Sequence, residues 1–395
     1  MDRVGENDKI GRVIPYLLYL YAFAVCISVS VTHIVLAFIF LLFLIDWWMA
    51  KRFRSIRNDF SIFAAIYGWK GITLIANGLI LKVYRVKEIW YKMPYLLISN
   101  FRITSGNLNK ILHILFFTDS LIVVYAIVQR FIGAPIIYYT LFEVDQMRGY
   151  LENPQYYAGH MTIAIILCLS LSLFYKKSFA AYMPFLFTGL LISASRTYLV
   201  CGIMVVLLIS LFKSRSVLMF TLVSISFVLI LEIIFFPAFL SKLSSNIVSS
   251  NLSLRMSFWG AAWETYLEHK LFGVGFQEFF LTYMDVLIKN GTVPFAGNAH
   301  NLYLQELVEG GPVELFLVLF GMIYFIRKYY LLFKKNDDRL LSAISIAIAA
   351  SFIALMIAGV TEAFFEFPTL WFLLTFIMGL AESYRLNIPR LTGST

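Results

Sequence analysis

The sequence predicts an all-α, polytopic integral membrane protein with about twelve transmembrane helices. Of the 395 residues, 60% are hydrophobic and 14% are charged, whereas soluble domains carry about 25% charged residues. Apolar runs long enough to cross a bilayer as helices recur along the chain. The three cysteines lie inside such runs, without the spacing of a metal site or a disulfide framework. These observations exclude a soluble enzyme, a disordered protein and a secreted disulfide scaffold.

Eleven apolar runs are clear and a twelfth is weak. The clear runs cover residues 12–28, 31–49, 60–81, 110–131, 156–175, 179–194, 196–213, 216–236, 311–333, 340–360 and 362–383. The weak run, 88–101, is short and contains Pro94. Helices are expected throughout, because unpaired backbone groups are too costly in lipid for open strands. No small-residue cleavage site follows the first run, so we expect a retained signal anchor.

The net charge of +9 is explained by topology rather than by binding to nucleic acid. With both termini in the cytoplasm and all twelve spans used, most Lys and Arg residues fall on cytoplasmic loops. Without the weak span, the cation-rich loop at 327–339 would face outward. The cations at 82–92 are an exception to the rule. Either the local topology differs there, or these outward cations meet an anionic group.

This layout divides the chain into three parts. A transmembrane bundle of nine spans covers residues 1–236, an outward loop covers 237–311, and a bundle of three spans with a short tail covers 312–395. A long segment between tight helix bundles is a usual place for function. Two amphipathic patterns are predicted there. Phe258, Ala262 and Tyr266 share one helical face, and Leu302, Gln305 and Glu309 share another.

Two arginines are candidate anion ligands. Arg196 stands at the outer mouth of two spans that are separated by almost nothing. A guanidinium matches phosphate oxygens bidentately, but an arginine at this depth also snorkels to lipid headgroups, and the two interpretations are balanced. Arg255 stands near the beginning of an amphipathic loop helix. It is either the second arm of an anion clamp or a solvated charge, and for a lone arginine the second is favoured.

His300 is the candidate general base, because histidine changes its charge near neutral pH. The alternative is a hydrogen-bonded interfacial histidine, which is favoured for a lone residue. No carboxylate or second histidine lies at metal-ligand spacing from it, so no zinc site is predicted. No Walker motif, serine triad or paired-carboxylate signature is present.

Weaker signals remain. Asn153-Pro154 opens a span, and Gly273-Val274-Gly275 is either a turn or a close approach of two backbones. Lys70 lies within a span, where it lines a pathway or snorkels. Glu362 and Glu366 lie near the outer end of the last span, where they are placed to pair with the arginines.

Taken together, these motifs resemble the bacterial O-antigen ligase and O-antigen polymerase superfamily. Three stretches carry the resemblance, and Ser195-Arg196 matches the arginine that this family has at a span mouth. The stretches are Asn153 to Ala158, Arg255 to Phe276, and Ala299-His300-Asn301-Leu302-Tyr303-Leu304-Gln305 followed by Glu309-Gly310-Gly311. The twelve spans and the single large loop also fit. Two departures, Lys270 after His269 and Pro312 after Gly311, leave the details of the substrate open.

The resemblance implies a glycosyltransferase of the bacterial inner membrane that needs no cofactor and no metal. Such enzymes pass a glycan from undecaprenyl diphosphate to an acceptor sugar hydroxyl at the periplasmic face, with inversion. Carried onto this sequence, Arg196 and Arg255 bind the diphosphate and His300 is the base. The candidate supporting residues are Asn301, Arg148, Asn153, Lys70 and Gln305.

Three functions remain open from the sequence. A ligase that uses a lipid A–core acceptor is slightly favoured over a polymerase that extends lipid-linked repeats. A transporter or flippase of a lipid-linked anionic solute is the alternative from another class. It predicts charged residues along several spans and often repeat symmetry, whereas mainly Lys70 lies within a span and no repeat is found.

Overall fold

The computed structural model describes residues 8–49, 59–132, 154–193, 195–235, 247–289, 298–365 and 367–388. Within these ranges the regular structure is entirely helical, which confirms the predicted all-α class. The chain is a polytopic α-helical membrane protein. Among the described residues, six helices are long and apolar enough to cross a membrane by length and composition, and several shorter helices are also apolar. The count of twelve spans and the sidedness of the loops stay predictions.

The helices of the first bundle come in two groups. The first group contains α1 (Asp8–Ile27), α2 (Val29–Met49), α3 (Phe60–Ala76), a 3-10 helix (Ile80–Lys92), α4 (Met93–Ile98) and α5 (Ser105–Ile132). The second group contains α6 (Pro154–Phe174), a 3-10 helix (Lys177–Tyr182), α7 (Met183–Ile192), α8 (Arg196–Lys213) and α9 (Arg215–Phe235). Proline opens α6 as expected, since its missing N–H is no loss in the first turn of a helix.

The described residues that follow form five further helices. The predicted loop contains α10 (Ile247–Glu268) and α11 (Phe279–Lys289), and the chain then continues through α12 (Leu302–Lys335), α13 (Arg339–Ala358) and α14 (Pro368–Arg385). The long helix α12 is interrupted at Gly311, whose φ of 71° and ψ of −170° are not helical. Pro312 follows this break and cannot donate a backbone hydrogen bond, so α12 consists of two helical pieces that meet at residue 311.

The core of the bundle lies around α6 and α13. In each of these helices 83% of the apolar window is buried, compared with 22% in α2. A helix that is apolar on every side needs neighbours or lipid on every side. We therefore assign α6 and α13 to the centre of the bundle and α2 to its periphery, where exposed side chains such as Phe38 and Trp48 are available to lipid.

The predicted weak span at 88–101 is wrong in its limits and in its conformation. The structure instead has the 3-10 helix that begins at Ile80, followed by the six-residue α4. This segment runs back along α3. At the far end of α3, Asn77 donates to the oxygen of Gly273 and Lys82 pairs with Glu278. At the near end, the backbone N–H of Asp59 donates to the Tyr95 hydroxyl over 3.4 Å.

The polar residues of this segment explain why its beginning was missed. Lys82, Arg85 and Glu88 interrupt the apolar pattern, so no helical period marks residues 80–87. A 3-10 helix rises about 2.0 Å per residue and therefore covers a given depth with fewer residues than an α-helix. The segment continues beside α14, since Thr375 donates to the Tyr91 oxygen and Ser383 donates to the Phe101 oxygen.

The cations at 82–92 meet an anion of the protein itself. The Nζ of Lys82 and an Nη of Arg85 lie 2.6 Å and 2.5 Å from the same oxygen of Glu278, which is largely buried. Arg85 also donates to the oxygen of Phe276. Lys92 is fully buried, with its ammonium 4.4 Å from the centre of the Trp371 ring. The second explanation offered by the sequence therefore holds for Lys82 and Arg85.

Candidate active site

The loop is fixed to α12 through backbone contacts that only glycine permits. The N–H groups of Val274 and Gly275 donate to the oxygens of Val308 and Glu309. Gly273 has a φ of +65°, and a Cβ there would lie 2.3 Å from the Val308 oxygen. The sequence left Gly273-Val274-Gly275 as a turn or a close approach of two backbones. The structure shows both, because the positive φ values bend the chain where it meets α12.

The amphipathic patterns of the loop are confirmed. Phe258 and Ala262 of α10 are buried with Val308 in a small apolar cluster, and Tyr266 packs against it. Leu302, Gln305 and Glu309 are buried on one face of α12. The loop therefore has a hydrophobic core of its own, next to the first turns of α12, and this core supports the segment that carries His300.

His300 lies in a short turn that is held on both sides. Its N–H donates to the side-chain oxygen of Asn298, and the Ala299 N–H donates to the side-chain oxygen of Gln305. Asn301 caps α12 by accepting from the Leu304 N–H. Two of the candidate supporting residues, Asn301 and Gln305, thus contact the backbone around His300 and fix its position.

The backbone of His300 is in a conformation that non-glycine residues rarely adopt. Its φ is +45°, in the left-handed region. Strained residues of this kind concentrate at functional sites, where the surrounding structure holds them in place. The imidazole is 32% exposed at its side chain and stacks near the Phe258 ring, with 6.3 Å between the centroids. It is therefore supported from one side and accessible from another.

Glu362 brings His300 and Arg255 together. One of its carboxylate oxygens lies 3.8 Å from His300 Nδ1, and the other lies 3.6 Å from an Nη of Arg255. The Glu362 side chain is 3% exposed. Arg255 also donates to the backbone oxygen of Thr361 over 3.0 Å. The prediction that Glu362 pairs with an arginine is confirmed for Arg255, and Glu366 lies outside the described residues.

Arg196 belongs to the same region through its neighbour Thr197. The Thr197 hydroxyl lies 2.9 Å from the hydroxyl of Thr361, the residue that accepts from Arg255. Arg196 is the first residue of α8 and its side chain is exposed. The preceding residue, Ser195, donates to the side-chain oxygen of Gln155. Arg255, His300 and Thr197, the residue that follows Arg196, are far apart in sequence and thus all lie around Thr361 and Glu362.

Lys70 lies in a different environment. It is fully buried, and its ammonium lies 3.0 Å from a Glu306 oxygen and 2.6 Å from a Glu314 oxygen. It also lies 4.2 Å from the centre of the Phe276 ring. Lys70 therefore does not snorkel, and its contacts join α3 to both halves of α12 and to the loop. Arg148 and Asn153, the remaining supporting candidates, lie outside the described residues.

A hydrogen-bond chain connects the His300 turn to the loop and the 3-10 helix. Gln305 donates to Glu309, which accepts from the backbone N–H of Gln277. The Gln277 side chain donates in turn to Glu88. Gln277 and Glu309 were not singled out as site residues from the sequence. Glu309 did appear in the sequence motifs, through its spacing from Gln305 and in Glu309-Gly310-Gly311, whereas Gln277 had no signal.

Two features of this arrangement suit chemistry on an anionic substrate. A guanidinium has five N–H donors, and the contacts described for Arg255 leave donors for a phosphate ligand. A histidine that faces a carboxylate with Nδ1 has its Nε2 available as a proton acceptor. Two arginines and a carboxylate-supported histidine can therefore hold a diphosphate and remove a proton from a hydroxyl beside it.

Residues 181–319 match a family model described as O-antigen ligase. The matched range contains Arg196, Arg255, His300, Asn301 and Gln305. Glu362 and Lys70 lie outside it. No curated protein matches the chain. The family match supports the superfamily resemblance that the sequence motifs indicate.

Proposed function

We propose that this chain, a membrane protein with an O-antigen ligase match over residues 181–319, is a glycosyltransferase that uses a lipid-linked glycan. The donor is a glycan on undecaprenyl diphosphate, and the acceptor is a sugar hydroxyl of lipid A–core at the periplasmic face. The glycan is joined to the acceptor with the configuration of its anomeric carbon inverted relative to the donor. The reaction belongs at the inner membrane, because its donor is a lipid.

The observation that carries this proposal is the convergence on Thr361 and Glu362. Arg255 contacts both residues, His300 faces Glu362, and Thr197 ties the first turn of α8 to Thr361. An arginine and a histidine on one buried carboxylate, with Arg196 at the helix start that Thr197 ties to Thr361, fit an anionic leaving group and a hydroxyl nucleophile. A purely structural histidine would have no need of a strained backbone or of a neighbouring buried carboxylate.

In the proposed reaction, Arg196 and Arg255 donate hydrogen bonds to the diphosphate oxygens. His300 accepts the proton of the acceptor hydroxyl at Nε2, and the hydroxyl oxygen forms a bond to the anomeric carbon. The bond from that carbon to the diphosphate oxygen breaks, and undecaprenyl diphosphate leaves. Negative charge grows on the leaving phosphate, so fixed guanidinium groups stabilise the transition state more than the ground state. No metal ion has a part in this scheme.

Glu362 has two parts in this scheme. Its charge lies 3.8 Å from His300 Nδ1, too far for a direct hydrogen bond, and stabilises the imidazolium that forms when the proton is taken. It also positions Arg255. Because the Glu362 carboxylate is buried, its interaction with each cation is screened less than at the surface.

The acceptor decides between the functions that the sequence leaves open. A synthetic undecaprenyl-diphosphate glycan is added to the purified protein in vesicles, once together with lipid A–core and once without it. In the arm with lipid A–core, we expect the glycan to be transferred to lipid A–core and undecaprenyl diphosphate to be released. Longer lipid-linked glycans in the absence of the core would instead identify a polymerase. Movement of intact donor between leaflets without a new glycosidic bond would overturn the enzyme proposal in favour of a transporter.

A further inference from the structure

A second polar cluster lies in the interior of the helix bundle, away from His300. It consists of Cys26 near the end of α1, Asp119 in the middle of α5 and His160 in the second turn of α6. The exposures of these residues are 2%, 0% and 1%. Their sulfur, oxygen and nitrogen atoms all lie within 4.8 Å of one another. Three separate helices therefore bring three metal-binding side chains to one point in an apolar core.

The partners of these side chains within the described structure are incomplete. His160 Nε2 lies 2.9 Å from one oxygen of Asp119. The second Asp119 oxygen is buried and has no hydrogen-bond partner among the described residues. A carboxylate can accept about four hydrogen bonds, and an ionised carboxylate in an apolar interior is costly unless it is paired or coordinates a cation. The Cys26 thiol donates to the backbone oxygen of Ala22, so the second Asp119 oxygen is left without a donor among the described residues.

We propose that Cys26, Asp119 and His160 bind one divalent transition-metal ion of the zinc class. A thiolate, a carboxylate and a neutral imidazole together carry two negative charges, so a divalent ion makes the buried site neutral. Thiolate and imidazole ligands favour Zn²⁺ or a similar ion over Mg²⁺ or Ca²⁺. Binding releases the thiol proton. The ion ties α1 to α5 and α6.

Metal binding requires the ligand atoms, now within 4.8 Å of one another, to settle around one point. In a tetrahedral zinc site with bonds of about 2.0 to 2.3 Å, neighbouring donor atoms lie roughly 3.3 to 3.7 Å apart. The nitrogen and oxygen of His160 and Asp119, now 2.9 Å apart, move apart by a few tenths of an ångström. Three protein ligands leave the fourth position for a water molecule. No spacing in the sequence indicates this site, because its ligands are spread over three helices.

The first test keeps the three ligands intact and removes the other thiols. Cys168 and Cys201 are buried elsewhere in the bundle, and Cys168 donates to the oxygen of Phe179. The double variant Cys168→Ser and Cys201→Ser leaves Cys26 as the only cysteine. After chelator treatment, the protein is loaded with Co²⁺ or Zn²⁺ and desalted. We expect one retained ion per chain and a thiolate-to-cobalt charge-transfer band. Absence of the band, or of retained metal, would overturn the proposal.

The second test removes one ligand with little change in shape. Asp119→Asn is expected to lose the retained ion and the rise in melting temperature that Zn²⁺ gives to the parent protein. Cys168→Ser, a matched change at another buried cysteine, keeps both. If Asp119→Asn folds, as judged by size-exclusion and helical content, but still retains one ion per chain, the ion lies elsewhere and the assignment is wrong. An unchanged melting temperature with Zn²⁺ in the parent protein also contradicts it.

Discussion

Glu362 is the residue on which the proposed site depends most strongly at the residue scale. It lies outside the matched family range, and its two oxygens face His300 and Arg255. The backbone oxygen of its neighbour Thr361 accepts a hydrogen bond from Arg255, and the Thr361 hydroxyl contacts the Thr197 hydroxyl. These two residues connect the loop, α8 and the segment before α14.

The change Glu362→Gln tests this role. The amide keeps the shape of the side chain but removes the charge that orients and stabilises a protonated His300. We expect kcat to fall by about 10- to 100-fold, a part of the full effect of general base catalysis, with a smaller change in the KM for the donor. The measurement is the initial rate of glycan transfer. Glu268→Gln, an exposed carboxylate at the end of α10, is the control.

A fall in donor affinity alone, with kcat unchanged, would show that Glu362 acts only through Arg255. The sequence could place Glu362 on the same face as the arginines, because Glu362 and Arg196 fall at the outer ends of predicted spans and Arg255 lies in the outward loop. It could not show that His300 faces the same carboxylate, nor that Thr197 and Thr361 are in contact, since these pairs are 62 and 164 residues apart in the chain. Such contacts follow from helix packing, which no local pattern contains.

At the scale of elements, the attachment of the loop to α12 is a set of close backbone contacts. The predicted effect of Gly273→Ala is a loss of stability. The left-handed backbone costs an alanine about 1–2 kcal/mol, and its Cβ would lie 2.3 Å from the Val308 oxygen. Thermal unfolding in detergent measures the loss. Gly260→Ala, at an open helical position of α10, is the control and is expected to gain about 0.5–1 kcal/mol.

If both alanine variants unfold at the same temperature as the parent, the close contact of the loop with α12 is not as the structure has it. The sequence did single out Gly273-Val274-Gly275, because two glycines around one residue indicate a special backbone. It did not indicate the partner, since the contact with Val308 and Glu309 joins segments separated by α11 and the His300 turn.

Lys70 provides a second prediction at this scale. The change Lys70→Met removes the cation from between Glu306 and Glu314 and leaves two buried carboxylates uncompensated. Removal of one partner of a buried ion pair typically costs about 3–5 kcal/mol. We therefore expect a clear fall in melting temperature. The triple change Lys70→Met, Glu306→Gln and Glu314→Gln should recover much of it, because no unpaired charge remains.

The outcome separates two roles of Lys70. Loss of glycan transfer in the triple variant, with stability recovered, would mean that Lys70 supports the reaction beyond its structural part. The sequence showed a lysine within a span but could not show its partners, because Glu306 and Glu314 lie more than 200 residues further along the chain.

For the whole molecule, the predicted topology places the 237–311 loop outside and the turn between α12 and α13 in the cytoplasm. Single cysteines at Leu271 and Asp337, both exposed, test this. A membrane-impermeant thiol reagent added to intact cells or spheroplasts is expected to label Leu271→Cys and to spare Asp337→Cys until the membrane is opened. The three native cysteines are buried and should react slowly. The reverse pattern would invert the topology.

The sequence predicted the helical membrane class well, because composition and apolar run length respond directly to the bilayer. It predicted the crossing near 88–101 poorly. The 3-10 helix of that segment carries charged residues that pair with Glu278. In the sequence alone such charged residues indicate a loop, because the distant carboxylate that neutralises them cannot be recognised. For the cations Lys82 and Arg85 the structure supplies this partner, the carboxylate of Glu278.

The central claim is that His300 removes the proton from the acceptor hydroxyl. Its most direct test compares the initial rate of glycan transfer for His300→Ala and for His269→Ala, a half-exposed histidine of the same loop, with donor binding measured in both. We expect His300→Ala to bind the donor and to transfer glycan at least about 100-fold more slowly, whereas His269→Ala keeps the parent rate. Transfer by a folded His300→Ala protein at the parent rate would contradict it.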